Sequence, residues 1–107
     1  MTTAIDTPVL SVRDLDIDWI ESEGNYVRLH SGKQGFMVRQ TLGALEAELD
    51  PKRFLRIHRS TIVNLDRIKE LKPLFRGDYV IALEDGTRLT LSRAYRKDLQ
   101  ERLGSKL

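Results

Sequence analysis

Apolar and polar residues alternate with period two over much of the chain. In "LDIDWIES" Leu15, Ile17 and Trp19 are separated by Asp16 and Asp18, the pattern of a half-buried strand. "PVLSV" just upstream has the same character. Glu23-Gly24-Asn25 is turn chemistry, because Gly and Asn tolerate positive φ. "YVRLH", the turn "SGKQG" and "FMVR" then continue a β-meander. The period changes at "TLGALEAELDP", where Leu42, Leu45 and Leu49 line one face of a short helix. Thr41 is placed to cap that helix, and Asp50-Pro51 to stop it. "FLRIH" resumes alternation, with Leu55 and Ile57 on one side and Arg56 and His58 on the other. "YVIALEDGTRLTLS" reads as a hairpin turning at Asp85-Gly86. The last segment, "RAYRKDLQERL", repeats Tyr95, Leu99 and Leu103 every fourth residue, with Ser92 in a capping position. Trp19, Ile20, Ile62, Val63, Ile68 and Leu71 are expected in the core, and Asn64 is expected to bond a neighbouring backbone turn. The predicted fold is mostly β, an elongated array of small, mainly antiparallel sheets with two short helices.

Composition narrows the class. A chain of 107 residues, 40% hydrophobic and 32% charged, suits one folded domain. There is no cysteine, which removes disulfides and thiolate metal sites. No histidine or carboxylate spacing resembles a metal motif, so neither metal nor cofactor is expected. No apolar run approaches the ~20 residues of a membrane span, and no signal peptide opens the chain, so a cytoplasmic location is expected.

The net charge of +2 conceals a segregation. Between Asp6 and Asp50 acids outnumber bases. From Lys52 to Arg76 the bases Lys52, Arg53, Arg56, Arg59, Arg67, Lys69, Lys72 and Arg76 meet only Asp66 and Glu70. Arg88, Arg93, Arg96 and Lys97 add a second basic group. Such asymmetry gives a domain one positive side, suited to a polyanion.

The stretch "FLRIHRSTIVNLDRIKEL" poses the sharpest choice. His58 and Ser60 lie two apart at a strand end, so a nucleophile and base are conceivable. However, no G-x-S-x-G elbow surrounds the serine, and no glycine-rich turn offers an oxyanion hole. "SGKQG" lies between strands rather than opening a helix, so it is a hairpin turn and not a phosphate-binding loop. An enzyme is not expected. The basic edge is the better reading.

Three blocks in order carry a resemblance: "IDWIESEGNYVRLH", "RQTLGALEAELDPKRFLRIHRSTIVNLDRI" and "LEDGTRLTLSRAY". They resemble the LytTR-type DNA-binding domain of the LytR/AlgR/AgrA family of bacterial response regulators, over roughly Leu15 to Leu103. The resemblance implies sequence-specific binding of duplex DNA by a transcription regulator of a two-component system. Loops and strand ends, rather than a recognition helix, would enter successive major grooves, with two copies on direct repeats. It places base contacts around Asn25 and Tyr26, at Arg59 and at Arg93. An Arg fork suits G O6 and N7, which supports Arg59 and Arg93 independently. Arg56, His58, Ser60, Thr61, Arg96 and Lys97 are expected to meet the DNA backbone and fix register.

The expected domain covers residues 9–104, with a disordered or tag-like stretch over 1–8 and a tail over 105–107. Family members carry a further strand upstream of "PVLSV", whereas here only "MTTAIDT" precedes it. The first sheet is then abbreviated, or the chain is an excised piece. A receiver or sensory domain lies outside these residues or is absent. The competing class is a β-rich adaptor that binds a protein or single-stranded nucleic acid. Single-strand binders need aromatic platforms on a basic sheet face. Aromatic residues are few here, and only Tyr26, Phe75 and Tyr79 fall away from the expected core positions.

Overall fold

The computed structural model describes residues 16–104, and in it the alternating stretches form two antiparallel sheets. Strands β1 (Trp19–Glu23), β2 (Tyr26–Ser31) and β3 (Gln34–Val38) make the meander. Helix α1 (Leu42–Glu46) then carries the chain across to β4 (Phe54–His58) and β5 (Thr61–Asn64). β5 adds beside β1, so the first sheet runs β3-β2-β1-β5-β4. A short 3-10 turn, Leu65–Arg67, leads into the second sheet of β6 (Ile68–Pro73), β7 (Tyr79–Leu83) and β8 (Arg88–Leu91). Another 3-10 turn, Arg93–Tyr95, precedes α2 (Arg96–Leu103). The result is elongated, 46 × 23 × 22 Å, and mostly β with two short helices, as expected. The expected "PVLSV" strand, Leu15, residues 1–8 and the 105–107 tail lie outside the described residues.

Two cores share the first sheet. On one face Ile20, Val27, Leu29, Phe54 and Ile62 pack against Leu42, Leu45 and Leu49 from α1 and the turn after it. On the other face Ile57 and Val63 meet Ile81, Leu83, Leu89 and Leu91 of the second sheet and Leu99 of α2. This explains the unbroken Ile62-Val63 pair. A central strand covered on both faces needs no polar alternation. Trp19, Leu55, Ile68 and Leu71 are half-buried at the margin of the second core, and Trp19 stacks on His30 at 3.9 Å between centroids.

The caps differ in outcome. Thr41 Oγ1 accepts from Ala44 N at 3.0 Å, as its position predicted. Ser92, by contrast, makes no side-chain cap bond. The Arg93 amide, at the first position of the turn, is bonded by Asp78 Oδ1 of the β6–β7 loop at 3.0 Å. At this helix start the Tyr95 amide is bonded by the Ser92 backbone carbonyl at 2.9 Å rather than by the Ser92 hydroxyl.

A polar junction fixes the strands where the chain passes from one sheet to the other. The buried Asp18 carboxylate accepts from Gly32 N at 2.9 Å and from Arg67 Nε at 2.7 Å. The Asp18 carbonyl accepts from Asn64 N at 3.0 Å. Arg67 also pairs with Asp16, and its own carbonyl accepts from Glu84 N in the second sheet. Asn64 is fully buried. Its Nδ2 donates to the Ile17 carbonyl at 2.8 Å, and its Oδ1 accepts from Asp66 N at 2.9 Å. Both halves of the amide are used, which satisfies a polar side chain in an apolar setting. Asn64→Ala should therefore destabilise the fold by about 2–3 kcal/mol, because it strands a buried carbonyl and an amide. Urea denaturation monitored by Trp19 fluorescence would measure the loss.

Candidate nucleic-acid interface

Strand direction gathers the loops of interest at one end. β1 ends and β2 begins at Glu23–Tyr26, while β4 ends and β5 begins at His58–Thr61. Glu21 lies opposite Thr61, and Ser22 N donates to the Ser60 carbonyl at 3.0 Å, so these two turns are neighbours. The second sheet is attached alongside. Ser92 N donates to the Ile57 carbonyl at 2.9 Å, placing the exit of β8 next to the end of β4. Arg93 Nη1 in turn donates to the Arg76 carbonyl of the β6–β7 loop at 3.3 Å. Asn25 and Tyr26, then Arg59 and Ser60, then Arg93 and finally Arg76 thus follow one another along a single edge.

The β4–β5 turn is built to expose Arg59. A register shift between Arg56 and His58 marks a bulge, a device that re-aims neighbouring side chains. Arg56 braces the turn from inside. Its Nη1 pairs with Glu46 of α1 at 2.7 Å, its Nε donates to the His58 carbonyl at 3.1 Å, and its Nη2 donates to the Arg59 carbonyl at 2.7 Å. The guanidinium that sequence assigned to a DNA phosphate is bonded within the protein. His58 Nδ1 accepts from Ser60 N at 3.2 Å and lies 2.9 Å from Ser60 Oγ. Because Nδ1 is an acceptor, the neutral ring carries its proton on Nε2. The conceivable Ser–His pair is therefore in contact, yet among the described residues no carboxylate orients the ring. A base without an orienting group is not a triad.

Charge separates this edge from the rest of the chain. Among the described residues Glu23 pairs with Arg28, Glu21 with His30, Asp66 with Arg53, Glu46 with Arg56, Asp16 and Asp18 with Arg67, and Glu70 with Lys72. The Glu23 side chain, hydrogen-bonded and opposite in charge, raises the Arg28 pKa. None of these ion pairs includes Arg39, Arg59, Arg76, Arg93, Arg96 or Lys97. All six lie on the edge just traced: Arg39 follows β3, Lys97 sits in the first turn of α2, and Arg96 lies over the Tyr79 ring at 5.9 Å. Lys33, Lys52, Lys69, Arg88 and Arg102 are also outside these ion pairs, but Lys33, Lys52, Lys69 and Arg88 are scattered toward the other end of the sheets, and Arg102, in the last turn of α2, bonds the Pro51 carbonyl. The edge is a concentration of uncompensated positive charge.

Of the residues singled out from sequence, Asn25, Tyr26, Arg59, Arg93 and Lys97 are exposed on this edge. His58, Ser60, Thr61 and Arg96 are half-buried there. Arg39 and Arg76 were missed as candidates. Arg76 belonged to the basic run, but only the contact between its carbonyl and Arg93 brings it beside the other cations. No group of His, Cys, Asp or Glu among the described residues could hold a metal ion.

Residues 9–104 match the family described as the LytTr DNA-binding domain. The chain is 30% identical over 103 residues to the sensory transduction protein LytT of Bacillus subtilis, covering 96% of this chain and 43% of that protein. It is 28% identical over 100 residues to the transcriptional regulatory protein LytR of Staphylococcus aureus, covering 94% and 41% respectively. The chain thus spans about two fifths of the length of these relatives. Among solved structures, the LytTr DNA-binding domain of a Bacillus cereus protein described as a methyl-accepting/DNA response regulator has the same fold. Its TM-score is 0.77 at 24% identity, covering 83% of this chain and 82% of that one. With the family match across nearly its whole length, this chain belongs to the LytTr DNA-binding domain family.

Proposed function

We propose that the domain reads duplex DNA with the edge formed by the β1–β2 turn, the β4–β5 turn and the segment entering α2. The observation that carries this is the run of cations on that edge that takes part in none of the ion pairs seen among the described residues. Arg59 and Arg93 present guanidinium forks to guanine in the major groove. Asn25 and Tyr26 approach bases from the neighbouring turn. His58 through Nε2, Ser60, Thr61, Arg96 and Lys97 contact phosphates and sugars. Arg56 acts from behind, since its three internal bonds hold the turn that offers Arg59. A single-strand platform is less well supported, because Trp19 is stacked on His30 and Tyr79 lies under Arg96.

A domain this small covers few base pairs, and a second copy on an adjacent direct repeat would supply the remaining affinity. We further propose that the chain is the output module of a longer cytoplasmic regulator whose other part receives the signal. Selection of bound fragments from a random-sequence duplex pool tests the reading directly. Enrichment of a repeated motif is expected, and recovery of no motif would overturn it.

Binding should weaken with salt at a log–log slope of roughly 0.9 per phosphate neutralised. Fluorescence anisotropy across potassium chloride concentrations would show this, and a flat profile would contradict duplex binding. Arg59→Ala should cost about 1–3 kcal/mol on the selected duplex and relax preference at one base position. Equal weakening on all sequences would place Arg59 on a phosphate instead. Lys97→Ala should weaken selected and random duplexes alike and reduce the salt slope by about one.

A further inference from the structure

The β6–β7 loop carries an apolar group that the proposed DNA contacts leave unused. Phe75 is 89% exposed, and Leu74 before it is 48% exposed. The loop is not a loose tip. Leu74 N donates to the Asp78 carbonyl at 2.7 Å, and the Asp78 carboxylate accepts the Arg93 amide at 3.0 Å. Arg76 holds a left-handed conformation at φ 62°, followed by Gly77 at φ 85°. A Cβ at Gly77 would come within 3.0 Å of Arg93 Cδ, so loop and Arg93 are in close contact. The left-handed turn costs stability for a residue with a Cβ, and it presents the Phe75 ring to solvent.

The surroundings of the ring select its partner. Arg76 follows Phe75 in the chain, and Gly77 of the same loop approaches Arg93 and Arg96; none of the three arginines is in an ion pair among the described residues. Asp78, the acid of this loop, already bonds the Arg93 amide through its carboxylate, and Asp98 follows in the first turn of α2. A second copy docking by this same face would bring like charges together, and an apolar protein surface would leave the guanidinium groups unmatched. Duplex DNA offers both requirements, since thymine methyls and sugar C–H edges lie between phosphates. We propose that Phe75 is an apolar contact to duplex DNA at the flank beyond Arg93, with Arg76 on an adjoining phosphate. This rests on the proposed duplex binding and extends it to a fourth loop.

The test uses the whole 107-residue chain, a duplex recovered by the wild-type protein from a random-sequence pool, and a salt series. Phe75→Ala should bind that duplex about tenfold more weakly with an unchanged salt slope, because an apolar contact releases no counterion. Phe75→Lys should fail to regain the loss despite its added charge. Arg76→Ala should lower the slope by about one. Thermal melting should be unaltered for Phe75→Ala, as so exposed a ring supports little packing. If Phe75→Ala binds within twofold of wild type, the inference is overturned and the ring serves a protein partner instead. If the wild-type protein selects no duplex, the functional reading itself falls, which is a distinct result.

Discussion

The Asp18 carboxylate is the constraint on which the arrangement depends. It receives the Arg67 guanidinium and the Gly32 amide, while its own backbone carbonyl receives the Asn64 amide. Through these bonds the strand β1, the β2–β3 turn, the end of β5 and the crossing to the second sheet share one anchor. Removing either charge would leave the other partly buried and unmatched, which is costly even where the intact pair adds little net stability. The anchor sits at the end of the sheet opposite to the cationic edge. It engages the acidic group near the start of the chain and leaves the far arginines uncompensated.

That division explains how a chain with a net charge of only +2 can offer a polyanion a strongly positive face. Ion pairs elsewhere neutralise acids and bases locally, and the residual field is concentrated on four neighbouring loops. The loops are joined by backbone bonds, Ser22 to Ser60 and Ser92 to Ile57, and not by surface salt bridges. Salt therefore weakens the attraction between edge and ligand more than these backbone bonds. Arg56 works in the same direction: a long flexible cation is bonded on three sides so that the next arginine is held steady. Less side-chain and loop freedom is then left to lose on binding.

Much of this could be read from residue order. The alternation in β1, β2 and β7, the Asp85-Gly86 hairpin and the Thr41 cap are local, set by side-chain periodicity and turn chemistry within a few residues. The three family blocks singled out Arg59 and Arg93, which the fold leaves exposed on one edge. What residue order left out mostly needed distant atoms. Ser92 looked like a cap, but its side chain makes no cap bond, and the Tyr95 amide is met by its backbone carbonyl. The internal bonds of Arg56 were not legible, because Glu46 on α1 comes near it only when the sheet packs on the helix. Arg39 gave no signal at all, and Arg76 only its place in a basic run.

The amino-acid order by itself determined a β-rich domain with two short helices, the turns between strands, the segregation of charge along the chain and the family. Tertiary structure alone decided which cations are paired and which are offered. It also decided that Asn64 closes a buried junction and that the loop of the exposed Phe75 is held against Arg93. The physical reason is range. Backbone periodicity acts over about three or four residues. Pairing of charges and burial of polar groups depend instead on partners far along the chain, 49 positions apart for Arg67 and Asp18.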